Sequence, residues 1–301
     1  MSRFLTPLFA PGFFTSGPVH SALAVGTAVA VVCGIVGVFA VIRGQSFAGH
    51  ALSDLGATGG AAAFLIGVGP LWGFLTATLT AAGAMEIVGV QRVRDRDLAA
   101  GIVFGVGLGV AALFLFLDAT YTTTTGATVT VLFGSLFTIA GSSVPAVVAL
   151  GIVVIAIVLS LQRPLLLSSL SPELASSRGI PVQLVGAAYL LAVAVAAALS
   201  ALTIGAILGT ALLIGPAAGA LRITSRPVSA MVASAVIGTL CTWVGIVLAY
   251  DSYLWPPRGR GWPVSFFVVA AVLFTYLGLR LLGPARRGRF ARPQRLSAGG
   301  S

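Results

Sequence analysis

The sequence predicts an all-α integral membrane protein: a polytopic helical bundle of about eight to nine transmembrane helices with one short extra helix on its cytoplasmic side. Three observations lead there. Of 301 residues, 58% are hydrophobic and only 8% are charged, with a mean hydropathy of +1.07, whereas an ordinary soluble domain carries about 25% charged residues. Apolar runs of roughly 20 residues, the length that crosses a bilayer, recur along nearly the whole chain. The breaks between them are short and hold many of the arginines, the distribution that orients membrane helices.

The N-terminal residues 1–18 mix Phe4, Leu5, Leu8, Phe9, Phe13 and Phe14 with Pro7, Pro11 and Pro18. The prolines interrupt any signal-peptide core, and the aromatic residues suit a segment lying at the membrane interface. Residues 19–282 form the membrane domain, and 283–301 form a basic cytoplasmic tail expected to be disordered.

The first span runs from about His20 to Ile42 and ends at Arg43. A second, about Ala51 to Gly69, carries Gly56, Gly59, Gly60 and Ala61. Small residues let helix backbones approach, which places this helix at the centre of the bundle. A third, about Leu71 to Val90, has Glu86 near its interfacial end. The loop Gln91 to Asp97 holds Arg92, Arg94 and Arg96 and belongs in the cytoplasm.

The fourth span, about Leu98 to Leu117, leads outward to Asp118–Thr130, a stretch without a basic residue that fits an external loop. Val131 to Ser143 is too short to cross and reads as a short outer helix, followed by a span at about Val144 to Leu161. Spans at about Val182 to Leu202 and Ile204 to Leu221 come next, the latter interrupted by Gly205, Gly209, Gly215 and Pro216. Such breaks are tolerated where the backbone faces protein or water. The last two spans, about Val228 to Tyr250 and Val264 to Leu282, flank Trp255 and Trp262, which suit the interfacial aromatic belt. The sum is nine crossings, N-terminus outside and C-terminus inside, with eight or ten also compatible.

Between the spans lies the polar break Gln162 to Pro181, placed inside by Arg163 and Arg178. Ser171 is suited to cap a helix, Pro172 to its first position and Glu173 to its first turn. Gly179 and Pro181 stop it. A capped helix of about two turns between two membrane spans has no hydrophobic reason to exist alone. It reads as a docking element.

Chemistry concentrates in Arg43 to Gly60, RGQSFAGHALSDLGATGG, where His50 and Asp54 stand four residues apart. Residues at i and i+4 share a helix face, and ionisable groups inside a bilayer are costly enough to mark a site by default. A pair that only hydrogen-bonds a neighbouring helix, or lies in a wet loop, has the same spacing. Asp118 and Asp251 fall at the outer face, where they either draw cations towards an entrance or are simply solvated loop or helix-end residues. Cys33 and Cys241 lie within apolar runs and read as buried small hydrophobes. The net charge of +10 resides largely in the tail and short loops, including Arg286, Arg287, Arg289, Arg292 and Arg295. It fits orientation and contact with anionic lipid headgroups rather than nucleic acid.

In order and spacing, RGQSFAGHALSDLGATGG, DRDLAAGIVFGVGLG, LFGSLFTI, SPELASSRGIPV and TIGAILGTALLIGPAAGALRITSRP resemble the permease subunit of ABC-type zinc and manganese importers, over roughly Val19 to Leu282. The resemblance implies a homodimeric subunit with no permanently bound cofactor. It would bind a cytoplasmic ATP-binding-cassette ATPase, which uses the ATP, and receive Zn2+ or Mn2+ from an extracellular or periplasmic solute-binding protein. Ser171, Pro172, Glu173, Ala175 and Gly179 then fall on the family's ATPase-docking coupling helix. His50 and Asp54 fall on its acid-and-histidine segment, in reversed order, since the family's aspartate precedes its histidine. A permease for a siderophore or vitamin shares the architecture, and a gradient-driven carrier is the reading from another class. No zinc-protease motif or nucleophile constellation supports an intramembrane enzyme.

Overall fold

The computed structural model describes residues 12–87, 93–121, 126–134, 136–255 and 261–282. Among these, nine helices of 18 residues or more account for the expected spans: α1 (Gly17–Ile42), α2 (Ser46–Leu65), α3 (Pro70–Ile87), α4 (Val93–Tyr121), α6 (Val144–Leu170), α8 (Val182–Ile204), α9 (Ala206–Ile223), α10 (Pro227–Asp251) and α11 (Val264–Leu282). Two short helices, α5 (Ala127–Phe133) and α7 (Pro172–Ser177), complete the set. Six of the long helices are apolar enough to cross a membrane by composition alone. The glycine-rich α2, α3 and the arginine-bearing α4 fall outside that group but meet the length of a span.

The core is built around α1 and α2. α1 packs on α6, α8, α9 and α10, while α2 packs on α3, α4, α8 and α9. The central position expected for α2 holds, because glycines remove the side chains that would keep helices apart. A Cβ on Gly59 would run into the Gly73 carbonyl oxygen of α3, and one on Gly73 into the Gly59 carbonyl oxygen. These two backbones touch.

Gly205 separates α8 from α9 with φ 99° and faces Gly134 at φ 83°. A Cβ at either position would overlap the other segment's backbone, and both torsions lie where only glycine is at ease. The C-terminal end of α5 is thus pressed against the α8–α9 junction.

Several boundaries differ from expectation. The short helix expected over 131–143 lies instead at Ala127–Phe133, with a 3-10 turn at Gly141–Ser143. α2 begins five residues before the expected Ala51, so His50 is inside it. α4 already starts at Val93, within the stretch expected as a loop. α6 continues through Arg163 and Pro164 to Leu170, although proline removes one intrahelical hydrogen bond. Packing overrides propensity there, since Leu165 and Ser168 are buried. The interruption expected from Gly205 to Pro216 occurs at Gly205 alone, and α9 runs unbroken through Gly209, Gly215 and Pro216. The five tail arginines, Arg92, Arg258, Arg260 and the interfacial prolines Pro7 and Pro11 lie outside the described residues.

Candidate functional site

α2 carries His50 and Asp54 on one face, with His50 Nε2 3.5 Å from Asp54 Oδ2. Asp54 is buried and the imidazole is about a third exposed, at 6% and 37% side-chain exposure. One donor is therefore buried and the other partly exposed. Two ligand atoms about 2.0–2.1 Å from a tetrahedral ion stand about 3.3 Å apart, so this pair needs only a small closure to share one cation. Imidazole with carboxylate suits zinc and is usable by manganese.

Among the described residues no third histidine, cysteine, aspartate or glutamate joins the pair. Two protein donors leave coordination positions of a tetrahedral ion open. The neighbouring residue fixes the face: buried Ser53 donates to the Ala206 carbonyl at 3.2 Å, and a Cβ on Gly209 would meet the Ser53 hydroxyl oxygen at 3.1 Å. α2 is thus held against the first turns of α9, just past the Gly205 break.

The short α7 forms as its sequence dictates. The Ser171 side chain accepts from the Leu174 amide at 3.4 Å, Pro172 takes the first position and Glu173 lies in the first turn. Gly179 follows at φ 76°. Ala175 is completely buried and anchors the helix, leaving Glu173, Leu174, Ser176 and Ser177 exposed. The helix presents a free outer face on a fixed mount.

Asp118 and Asp251 are both buried, at 1% and 8% exposure, on the last turn of α4 and the last residue of α10. Both stand at helix ends and are buried rather than solvated, and neither joins the His50–Asp54 pair. Cys33 and Cys241 are buried free thiols, as expected. Glu86 is half-buried at the end of α3.

Three residues, Ser53, Arg43 and Tyr189, make contacts that the sequence does not announce. Ser53 gave no signal beyond its place between His50 and Asp54. Arg43, read only as the end of a span, donates to Ser168 Oγ at 3.1 Å and Ser169 Oγ at 3.3 Å, and its guanidinium lies 5.5 Å from the Tyr189 ring centroid. The signal available for Tyr189 was a lone hydroxylated ring in an alanine-rich span.

A family model described as the ABC 3 transport family matches residues 18–260. The chain belongs to the ABC 3 transport family. It is a multi-pass membrane protein of that family. Its relatives include the manganese transport system membrane protein MntC of Halalkalibacterium halodurans, 28% identical over 257 residues, covering 85% of this chain and 84% of that protein. The manganese import system permease protein ScaB of Streptococcus parasanguinis is 27% identical over 232 residues, covering 77% and 81%. Among solved structures, PsaBC from Streptococcus pneumoniae in complex with Fab shares the fold, with a TM-score of 0.77 at 23% identity, covering 92% of this chain and 95% of that one.

Proposed function

We propose that this chain is the membrane-spanning permease subunit of an ATP-binding-cassette importer for divalent metal ions, manganese or zinc, working by alternating access. The observation that carries this reading is the His50–Asp54 pair, an imidazole and a buried carboxylate 3.5 Å apart on the central helix. Family membership and the manganese transporters among the relatives support the same cargo class. The incomplete donor set suits passage rather than storage. Water, backbone carbonyls beside Gly205 or a second copy of the chain supply the remaining donors.

In this reading the permease makes and breaks no covalent bond. A separate cytoplasmic ATPase seats on α7, and closure of its nucleotide sites moves the helix as a rigid lever. An external solute-binding protein delivers the ion, two permease copies form the pathway, and lipid surrounds the rest. The test is zinc and manganese uptake, measured together, in vesicles holding the permease with its ATPase and binding protein. ATP-dependent accumulation of either metal should fall at least about tenfold in His50→Ala, the loss expected when a metal ligand or its support is removed. Neither metal accumulating in an assembled, hydrolysing complex would redirect the reading to organic cargo.

A further inference from the structure

We propose that Arg43 is a positioning residue that carries the movement of α7 to the His50–Asp54 pair. The proposal rests on the reading of α7 as the ATPase seat and of the pair as the cargo site. Its basis is the way Arg43 joins three helices. The side chain starts at the C-terminal end of α1 and donates to Ser168 and Ser169 on the last turn of α6. Ser171, two residues after Ser169, is the N-cap of α7. The guanidinium also lies over the ring of Tyr189 on α8, and the Tyr189 hydroxyl donates back to the Val36 carbonyl of α1 at 2.9 Å.

α6 and α8 are the two helices that flank α7 in the chain. Arg43 therefore grips both of its mounts. On its other side Arg43 belongs to the tight turn between α1 and α2, where its amide bonds to the Phe39 carbonyl, the Gly44 amide to Val41 and the Gln45 amide to Ala40. Only Arg43, Gly44 and Gln45 separate the two helices, and His50 is the fifth residue of α2. A turn with every amide engaged transmits displacement rather than absorbing it. The planar guanidinium suits the task because it bonds along its edge while stacking on a ring, which a lysine ammonium cannot reproduce.

The test uses the assembled complex in vesicles, with Phe47→Cys as a reporter on α2. Phe47 is 41% exposed, whereas Cys33 and Cys241 are buried, so maleimide labelling reads the introduced thiol. ATP should change its labelling rate in the Arg43 parent. Arg43→Gln should remove that response while ATPase assembly and hydrolysis persist, and manganese moved per ATP should fall about tenfold, within the usual range of coupling effects. Arg43→Lys should recover only part of the response. The pair Ser168→Ala and Ser169→Ala, which leaves Arg43 in place, should uncouple in the same way and serves if Arg43→Gln fails to assemble. A labelling response and transport ratio unchanged in the serine variant overturn the proposal, as does a reporter indifferent to ATP in the parent. A parent that responds to ATP through Arg43 yet accumulates no metal supports the linkage while removing the metal reading.

Discussion

The hydroxyl of Ser53 reaches across the bundle to the carbonyl of Ala206, tying the residue before Asp54 to the first residue after the Gly205 break. Interhelical hydrogen bonds in membranes are worth on average about 0.6 kcal/mol. Ser53→Ala should therefore lower the melting temperature only slightly, on the order of 1–2 °C. Its larger effect should be on the site, with manganese affinity falling severalfold as α2 loses its register against α9, and Ser53→Thr should retain most of it. Thermal unfolding and metal binding on the same purified variants separate the two effects. Unchanged affinity in Ser53→Ala would leave the bond a packing contact only.

The crossing of α2 and α3 sets a sharper constraint. Gly73→Ala places a methyl group against the Gly59 carbonyl, and overpacking of this kind costs about 1–3 kcal/mol. Gly83, on the same helix, has open space where its Cβ would be. Gly83→Ala should be neutral or slightly stabilising, since alanine is the better helix former by about 0.5–1 kcal/mol. In one detergent, the melting temperature should fall for Gly73→Ala and stay level or rise slightly for Gly83→Ala. Equal behaviour would show that the backbones do not meet at this crossing.

Ser171 offers a test of α7 that does not touch the membrane core. Removing a capping hydroxyl costs about 1 kcal/mol of local helix stability. Ser171→Ala should therefore loosen a six-residue helix held otherwise by Ala175, weaken retention of the ATPase subunit severalfold and leave the melting temperature of the permease nearly unchanged. Ser171→Asp keeps an acceptor for the Leu174 amide and adds favourable charge at the helix start, so it should restore retention. Co-purification of the ATPase with each variant decides it, and equal retention in Ser171→Ala would argue that the cap is not needed for docking.

Six of the spans were legible because each carries its own long apolar run, a local property. The His50–Asp54 pair was legible because four residues make one helical turn. The α6 end was not: Arg163 and Pro164 look like a loop until Leu165 is seen to be buried. Gly215 reads as a helix break in sequence, yet a Cβ there would strike Val272 of α11, so the residue serves close packing within an unbroken helix. Arg43 and Ser53 find partners 125 and 153 residues away. No window of sequence contains such contacts, and they are the ones that tie the pair to the rest of the bundle.

The reversed order of the pair leads to the last prediction. A helix face is nearly indifferent to which of two residues one turn apart comes first, but the surroundings here are not, because position 54 is buried and position 50 is partly exposed. In the double variant His50→Asp with Asp54→His, both donors stay on one face while the carboxylate takes the more exposed position and the imidazole the buried one. If the shared face is what binds the ion, the exchanged protein should hold manganese within about tenfold of the parent, whereas His50→Ala or Asp54→Ala alone should lose about tenfold or more, as expected for ligand-level changes. If depth matters more than the face, the exchange should be as damaging as either single loss. Manganese binding by titration on all four proteins distinguishes the cases, and zinc titrated alongside shows whether moving the imidazole inwards shifts preference towards the metal for which nitrogen is the better donor.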